Sequence, residues 1–328
     1  MTASVLRAGF LTTVQDLGRI GSRRFGVSVG GAADTHALRI SNLLAGNDEE
    51  AAGLEITAGS VCLHFEDQRL VAWSGGDYEV VVDGHILSPG HSVVVGPNEE
   101  LSISGPRGGC RAWLAISGGI DVPSILESRS TDLRAKFGGM EGRELQEGDT
   151  IALGKKSNLT ESWIRKLHER RIASWAAPYE WTSPAMSEPV LRVVRGSDWG
   201  RFDDRTHSAL TREVFAVSPA SDRMGVRLEG VELKRADESD LVSEAVAPGT
   251  IQVPPSGDPI LLLGDCQTIG GYPKIAHVIT VDLPIAAQLR PGDWVRFREV
   301  SLADAHLLFC QRERDLQQFR CGIKLQTS

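Results

Sequence analysis

The chain has 328 residues, a formal net charge of −8, 35 Gly, 15 Pro and 6% aromatic residues. This turn-rich composition is typical of a globular protein of up to two domains, and it excludes a coiled coil or a disordered chain. Acidic and basic residues are interspersed without a Lys/Arg stripe, so neither nucleic acid nor an anionic membrane is expected as a partner.

The N-terminus and the cysteines predict the compartment. Residues 1–10 lack the apolar core of a secretory signal, and no apolar run approaches the length of a membrane span. The five cysteines are scattered and no His pair has metal-ligand spacing; the cysteines are Cys62, Cys110, Cys266, Cys310 and Cys321. We therefore expect a reduced cytoplasmic protein without a metal site.

Short β-type runs separated by Gly-rich turns dominate the chain and predict barrels or sandwiches. In chain order the clearest runs are Tyr78–Val82, Ser92–Val95, Cys110–Ile116, Leu191–Val194, Ile260–Leu263 and His277–Val281. Three segments are predicted as helices: His36–Leu44, Glu161–Trp175 and Leu302–Phe319. Asp34 or Thr35 is the expected N-cap of the first, and Gly46 follows its end.

The two halves of the chain echo each other at three places in the same order. Val27-Ser28 before Asp34 resembles Val217-Ser218 before Asp222, and Ala58-Gly59-Ser60-Val61 resembles Pro248-Gly249-Thr250-Ile251. Leu145-x-x-Gly148-Asp149 resembles Leu289-x-x-Gly292-Asp293. Ordered echoes indicate a duplicated domain. We predict an N-terminal domain over 1–155, a helical connector over 156–188, and a C-terminal domain with a C-terminal helix over 189–328.

Two motifs with chemical associations lack the required context. Gly26-Val27-Ser28-Val29-Gly30 matches GxSxG, but a nucleophile elbow needs a buried strand before it and a helix directly after it. Polar residues precede the motif and a Gly-rich stretch follows, which favours a strand entering a turn. Gly148–Lys156 has five residues between its glycines and a Lys where a phosphate loop has Ser or Thr. The chain therefore has no recognisable nucleotide-binding loop.

Dense polar segments rich in Gly are more informative. They are Thr12–Arg19, Gly30–Asp34, Ser128–Thr131, Ser221–Gly225, Ile251–Pro254 and Gly264–Lys274. Such loops can bind a small amide or carboxylate through Arg, Lys, Asp and Gln. They can equally be turns in which Asp and Ser side chains cap the local backbone, and composition does not decide between the two.

At these segments the chain resembles the family of the 5-oxoprolinase C subunit, also known as the KipI antagonist or allophanate hydrolase subunit 2. The carboxyltransferase domain of urea carboxylase is related to this family. The matches run in order from Thr12 to Lys274 and include GGAADTHALRISN (30–42) and GGYPK (270–274). The resemblance implies a mainly β fold of two cyclophilin-like barrels. Ala33 and Glu127 depart from the family, which commonly has Met and Gly there, and local repacking is expected.

The resemblance also implies partners and a reaction. This chain and a KipI-like B subunit would phosphorylate 5-oxo-L-proline with ATP, and a third subunit of LamB/YcsF type would complete ring opening to L-glutamate. ATP is therefore expected to bind the complex. The chain lacks an Ala-Met-Lys-Met biotin segment, so no attached biotin is expected.

The family motifs supply the candidate site residues. Lys274 would stabilise the developing anionic oxygen, and Asp222 would accept the amide proton or orient the substrate nitrogen. Expected substrate-binding residues are Gln267, Arg223, Tyr272, Gln15, Asp16, Asp34, Arg39 and Arg129. Structural alternatives remain for three residues. Asp222 could cap a turn, Lys274 could be a solvated charge at a strand edge, and Arg39 could form a surface ion pair.

The sequence leaves two other functions open. One is a regulatory antagonist that binds a KipI-like inhibitor of a histidine kinase without catalysis. The other is a biotin-dependent carboxyltransferase component acting on a urea-like amide, which would need a separate biotin carboxylase. The Ser-rich Gly loop of amidases is missing, so hydrolysis through a Ser nucleophile is not expected.

Overall fold

The chain divides into two compact units, each with its own hydrophobic core. The first comprises Met1–Gly18, Asp34–Pro184 and Asp315–Ser328, and the second comprises Arg19–Ala33 and Ala185–Arg314. A computed structural model describes residues 1–167, 170–182, 189–236 and 241–327. The bounds predicted for two domains and a connector stay predictions, and residues 168–169 and 183–188 of the connector lie outside the described residues.

A ten-stranded sheet forms the first unit. Its strands are β1 (Thr2–Ala8), β2 (Leu11–Gln15), β3 (Gly53–Thr57), β4 (Gly59–Phe65), β5 (Arg69–Val82), β6 (His85–Ile86), β7 (His91–Val95), β8 (Glu100–Ile116), β9 (Thr150–Ala152) and β10 (Ile172–Ala176). The long strands β5 and β8 pair along most of their length and form its centre. All the named pairings of this sheet are antiparallel.

The two faces of this sheet bury different clusters, because successive side chains of a strand point to opposite faces. In β5, Val71 and Trp73 enter the main core, which Val61 and Ile103 share. Leu70 and Ala72 enter a second cluster, which helices cover. The short apolar runs Leu70–Trp73 of β5 and Ala112–Ile116 of β8 follow from burial on both faces.

Helices α1 (Thr35–Leu44), α2 (Asn158–Lys166) and α3 (Tyr179–Thr182) belong to the first unit. The Asp34 side chain accepts a hydrogen bond from Ala37 N at 2.9 Å, which confirms the predicted N-cap. The predicted helix Glu161–Trp175 is wrong beyond Lys166. Residues 172–176 form β10 instead, which pairs with β7, so a tertiary pairing overrides the local helical pattern.

A closed barrel of seven strands forms the second unit, in the order β11-β18-β15-β16-β13-β12-β19. The unit contains β11 (Val190–Arg195), β12 (Phe215–Val217), β13 (Gly225–Glu229), β14 (Glu244–Ala245), β15 (Thr250–Gln252), β16 (Ile260–Leu262), β17 (Ile269–Gly270), β18 (Lys274–Val278) and β19 (Trp294–Glu299). Strands β14 and β17 pair with each other outside the barrel. The predicted run His277–Val281 ends as a strand at Val278, because Thr280–Asp282 is a 3₁₀ helix.

Buried apolar and exposed side chains alternate along the barrel strands, and the apolar ones fill the interior. Val295 and Phe297 of β19 point into the core, while Trp294 and Arg296 point outward. The remaining helices are α4 (Asp204–Arg212), α5 (Leu283–Ala287) and α6 (Leu302–Thr327). The predicted C-terminal helix is confirmed and extends past Phe319 to Thr327, where Leu316 and Ile323 are buried in the helical cluster of the first unit.

The third sequence echo is the same turn in both units. In the first, Gly148 N donates to Val5 O and Val5 N donates to Asp149 O, both at 2.8 Å. In the second, Gly292 N donates to Val217 O at 3.0 Å and Val217 N donates to Asp293 O at 2.8 Å. Val217 therefore corresponds to Val5. The first echo, which aligned it with Val27, is wrong.

These elements confirm a mainly β fold that contains a closed barrel and few helices. The GxSxG match at 26–30 follows a 3₁₀ helix, Ser22–Phe25, and is irregular, so neither the strand of a nucleophile elbow nor the strand expected here is present. Within the described residues, no helix is long and apolar enough to cross a membrane.

Candidate functional site

Lys274 begins β18 and is a buried cation between two carboxylates. Its Nζ lies 2.7 Å from Glu244 Oε2 and 3.4 Å from Asp198 Oδ2. The residue is 7% exposed, and β18 lies between β11 and β15 inside the barrel wall. The alternative of a solvated charge at a strand edge is therefore wrong. A buried lysine keeps its charge only when carboxylates pair with it, as they do here.

The pKa shifts of this cluster keep both partners ionised. Burial acts to lower the pKa of Lys274, but the hydrogen bond to Glu244 and the charge of Asp198 outweigh it and the pKa is raised. Burial likewise acts to raise the pKa of Asp198, yet the hydrogen bond from Lys274 N and the Lys274 charge lower it. Lys274 is therefore fitted to stabilise negative charge and is a poor general base at neutral pH.

A carboxamide, Gln252, lies beside Lys274 in the barrel wall, and a second one, Gln267 of the loop before β17, bonds to it. Gln252 is 1% exposed and pairs in register with Lys274 across β15 and β18. Its Nε2 donates to Tyr272 O at 3.1 Å, and its Oε1 accepts from Gln267 Nε2 at 3.2 Å. A Cβ on Gly270 would lie only 2.8 Å from Gln252 Nε2, so the glycine allows β17 to approach this amide. Both ends of the Gln252 carboxamide are thus occupied, and the pair can recognise another amide through Gln267, which is half-buried.

The other predicted residues of the second unit have local partners. Asp222 Oδ1 accepts from Met224 N at 2.8 Å and Gly225 N at 3.1 Å, so the side chain does cap a turn. Among the described residues, no hydrogen bond reaches its Oδ2. The Tyr272 side chain is half exposed, at 46%. The structure therefore gives the Asp222 carboxylate a structural role in this turn.

Arg223 fixes a distant segment of the chain. Its Nε and Nη2 donate to Asp265 at 2.8 and 3.1 Å, and Nη2 also donates to Gly31 O at 2.7 Å. Gly30 N donates to Gly264 O at 3.1 Å. A fork-shaped pair of this kind holds its partners in one geometry. The guanidinium thus anchors residues 30–31, which is a structural task beside any contact with substrate.

In the first unit, Asp16 and Gln15 differ in whether their side-chain oxygens have hydrogen-bond partners. Asp16 accepts hydrogen bonds from Gly18 N at 2.8 Å and Ser128 Oγ at 2.6 Å, and also from Arg129 N and Ser130 Oγ. This carboxylate organises the 128–130 loop. Gln15 Nε2 donates to Thr13 Oγ1 and Thr131 O, whereas its fully buried Oε1 has no hydrogen-bond partner within the described residues. An unpaired buried acceptor is fitted to receive a donor from a ligand.

Three further candidates of this unit have the following surroundings. Asp34 is buried and caps α1. Arg39 lies 2.8 Å from Glu49, and the two side chains are 22% and 17% exposed, so the alternative of an ion pair holds for it. The Arg129 side chain is 43% exposed and lies 3.8 Å from Asp121. Of these, Arg129 is the most accessible to another molecule.

The sequence did not single out Asp198, Glu244, Gln252 or His277 as site residues. Gln252 lies in the Ile251–Pro254 segment, which was a usable signal. His277 Nδ1 lies 3.2 Å from Thr250 Oγ1, and burial followed by the charge of Lys274 lowers its pKa. Asp198 and Glu244 lie far from Lys274 in sequence, and no motif joins them to it. Among the described residues, no group of three or more His, Cys, Asp or Glu is placed to hold a metal ion.

Comparisons with known proteins agree on one family. Residues 25–299 match the family described as carboxyltransferase domain, subdomain A and B. The chain is 38% identical over 301 residues to the C subunit of 5-oxoprolinase from Escherichia coli (strain K12), covering 92% of each chain. It is 37% identical over 308 residues to the C subunit of 5-oxoprolinase from Haemophilus influenzae, covering 94% of each.

A longer type of protein contains the same fold. The crystal structure of Kluyveromyces lactis urea carboxylase matches with a TM-score of 0.87 and 29% identity, over 97% of this chain and 29% of that one. Urea amidolyase of Lachancea kluyveri is 30% identical over 340 residues, which cover 98% of this chain and 18% of that protein. The chain thus corresponds to one part of these longer proteins.

Proposed function

Because the chain belongs to the carboxyltransferase-domain family, we propose that it is the C subunit of an ATP-dependent 5-oxoprolinase. It would act with a KipI-like B subunit to phosphorylate 5-oxo-L-proline, and the LamB/YcsF-type A subunit would complete ring opening to L-glutamate. The observation that carries the proposal is the buried, protonated Lys274 beside the Gln252–Gln267 amide pair. The similarity to two 5-oxoprolinase C subunits over nearly their whole length supports this choice of substrate.

The chemistry matches these groups. The lactam carbonyl oxygen attacks the γ-phosphorus of ATP, a bond to phosphorus forms, and ADP leaves. Lys274 stabilises the charge that develops around the reacting oxygens, and the carboxamides hold the lactam amide. Asp222 accepts the amide proton that the nitrogen loses. Gln15, Arg39 and Arg129 remain proposed contacts to substrate or partner, while Asp16, Asp34 and Arg223 act by holding loops. ATP is a substrate of the complex, whose phosphate-binding loop is expected in another subunit.

The test is ADP release by this chain with its KipI-like partner, with and without 5-oxo-L-proline. We expect stimulation only in the mixture, and its loss by at least about 100-fold in Lys274→Ala and Asp222→Ala, since groups acting in the transition state have effects of this order. Lys234→Ala is the matched control, because Lys234 is an exposed lysine of the same unit paired with Glu232. All variants should keep complex formation and the circular dichroism spectrum of the parent.

The outcomes separate the remaining functions. Near-normal turnover in both site variants would remove Lys274 and Asp222 from the mechanism. A stable complex without stimulation by 5-oxo-L-proline would favour the regulatory antagonist. The urea carboxylase and urea amidolyase relatives support the other alternative, a carboxyltransferase component for a urea-like amide. Biotin-dependent carboxylation of urea by this chain with a separate biotin carboxylase would establish that activity.

A further inference from the structure

A two-stranded flap carries a carboxylate onto Lys274. The flap consists of β14 and β17, in which Glu244 pairs with Gly270 and Ala245 with Ile269. Glu244 Oε2 lies 2.7 Å from Lys274 Nζ, although the Glu244 side chain is 63% exposed. Within the described part of the chain, Lys274 is the only hydrogen-bonding or ionic partner of this carboxylate. The contact therefore joins a buried cation to a solvent-facing anion.

The second carboxylate on Lys274 is held quite differently. Asp198 Oδ2 accepts from Lys274 N at 2.9 Å, and Asp198 Oδ1 lies 3.4 Å from Arg201 Nε. Its side chain is only 14% exposed. Asp198 is thus fixed through the backbone of β18 and a second cation. Of the two carboxylates, only Glu244 can leave without breaking other contacts.

The charges of the cluster define what can take the place of Glu244. Two cations, Lys274 and Arg201, face two anions, Asp198 and Glu244. His277 adds no charge at neutral pH, because burial and Lys274 lower its pKa. When Glu244 leaves, the cluster carries one excess positive charge in a largely buried setting. A single anionic oxygen group restores the balance, whereas a neutral ligand does not.

We propose that Glu244 is an internal competitor that occupies the position of an anionic substrate oxygen on Lys274, and that substrate binds by displacing it. The proposal rests on the proposed function in that the substrate is a lactam carboxylate. That oxygen can be the carboxylate of 5-oxo-L-proline or the lactam oxygen on which charge develops. A purely structural ion pair would not need an exposed carboxylate, because Asp198 already pairs with Lys274.

Binding and turnover of Glu244→Gln test the proposal. By titration calorimetry with the full chain, we expect 5-oxo-L-proline to bind about five-fold tighter than to the parent, which corresponds to roughly 1 kcal/mol for an exposed ion pair. 2-Pyrrolidinone, the same lactam without a carboxylate, should bind both chains equally. Glu299→Gln is the matched control, since Glu299 pairs with the exposed Arg195 at 2.6 Å in the same unit.

The carboxylate and the lactam oxygen of the substrate predict different results for Glu244→Gln. Tighter binding of 5-oxo-L-proline assigns the position to the carboxylate. An unchanged Kd with a higher kcat/KM in the complex assigns it to the lactam oxygen in the transition state. If neither quantity differs between Glu244→Gln and the parent, or if 2-pyrrolidinone binding tightens equally, Glu244 is no competitor for an anion and the proposal is overturned.

Chemical labelling of Lys274 in the chain alone tests the competitor independently of the proposed function. Mass spectrometry after labelling with trinitrobenzenesulfonate should show Lys274 modified several-fold faster in Glu244→Gln, because the amine loses a carboxylate that raises its pKa. Acetate should slow this labelling more in the variant than in the parent. Absence of ADP release would refute the enzyme function only, whereas equal labelling with and without Glu244 would refute the competitor.

Discussion

Asp16 illustrates how a buried carboxylate in this protein organises a loop. Its two oxygens accept from the backbone of Gly18 and Arg129 and from the hydroxyls of Ser128 and Ser130. Hydrogen bonds to a charged acceptor each contribute about 1.5–3 kcal/mol, and removing the acceptor leaves buried donors without a partner. Residues 128–130 therefore donate three hydrogen bonds to this one side chain, beside backbone bonds such as that from Gly139 N to Arg129 O.

We expect Asp16→Asn to lower the free energy of unfolding by about 2–4 kcal/mol, because the amide turns a donor toward groups that are themselves donors. Urea titration followed by circular dichroism measures the change. Asp121→Asn is the control: that carboxylate is 62% exposed, and the change should cost less than about 0.5 kcal/mol. A difference below about 0.5 kcal/mol for Asp16→Asn as well would show that the 128–130 loop is held by other contacts.

At the residue scale, the sequence supplies candidate polar residues but contains no information about what they touch. Lys274 was singled out, while Asp198 and Glu244 were missed because they meet it only through barrel closure and the β14–β17 pair. Glu127, at a position where the resemblance predicts Gly, has a positive φ of 63°. A left-handed backbone favours glycine there, so this departure lies at a position whose constraint is conformational.

At the scale of the elements, the same turn precedes β9 and β19, so the Arg–Asp ion pairs of its two copies can be compared. In the first, Arg143 forms a two-point pair with Asp149, with Nη1–Oδ2 and Nη2–Oδ1 distances of 2.7 and 2.9 Å. The hydrogen bond from Arg143 lowers the pKa of Asp149. In the second, Arg290 Nε lies 3.5 Å from Asp293 Oδ1. The same backbone turn thus carries a closer ion pair in one copy.

We expect Arg143→Met to cost about 1 kcal/mol at pH 7, and this cost should shrink as the pH falls. The folded-state pKa of Asp149 lies below the unfolded value of about 3.9, so its contribution is complete well above pH 4 and is lost as the pH falls through the folded pKa. Unfolding free energies from pH 7 to pH 3 measure the effect. Arg290→Met should cost less, and a cost for Arg143→Met that is constant with pH would contradict the role of Asp149.

Local signals predict an element well when no distant partner competes for it. Helix α1 is fixed by its Asp34 cap and by Gly46 beyond its end, and its prediction is confirmed. The segment 161–175 carries an equally helical pattern, but its second part pairs with β7 and becomes β10. The sheet edge that recruits these residues lies about eighty positions earlier, so a local pattern contains no information about it.

On the scale of the whole molecule, the discontinuous second unit is the main departure from a simple tandem arrangement. Residues 19–33 belong to this unit, although the residues before and after them belong to the first. Their attachment includes the hydrogen bonds Arg223 Nη2 to Gly31 O and Gly30 N to Gly264 O. The sequence echoes predict a duplicated domain, but they contain no sign that residues 19–33 belong to the second unit.

We expect Arg223→Gln to make the 19–33 segment several-fold more sensitive to trypsin, because the anchor of Gly31 is lost and opening becomes more frequent. Arg23 and Arg24 lie in this segment and provide cleavage sites. Limited proteolysis of the intact chain followed by mass spectrometry measures the rate. Arg227→Gln, a change at an exposed arginine of β13, is the control and should match the parent. Equal cleavage in both variants would show that Arg223 does not hold the segment.

The placement of residues 19–33 has a consequence for synthesis on the ribosome. This segment is made more than 180 residues before Arg223 and Gly264, which hold it, and before Asp265, which pairs with Arg223. At about 5–20 residues per second, the segment stays without these partners for roughly 10 to 50 s. The hydrogen bonds that attach residues 19–33 to the rest of the second unit therefore form only after Arg223 and Gly264 have been made, whatever the first unit has achieved by then.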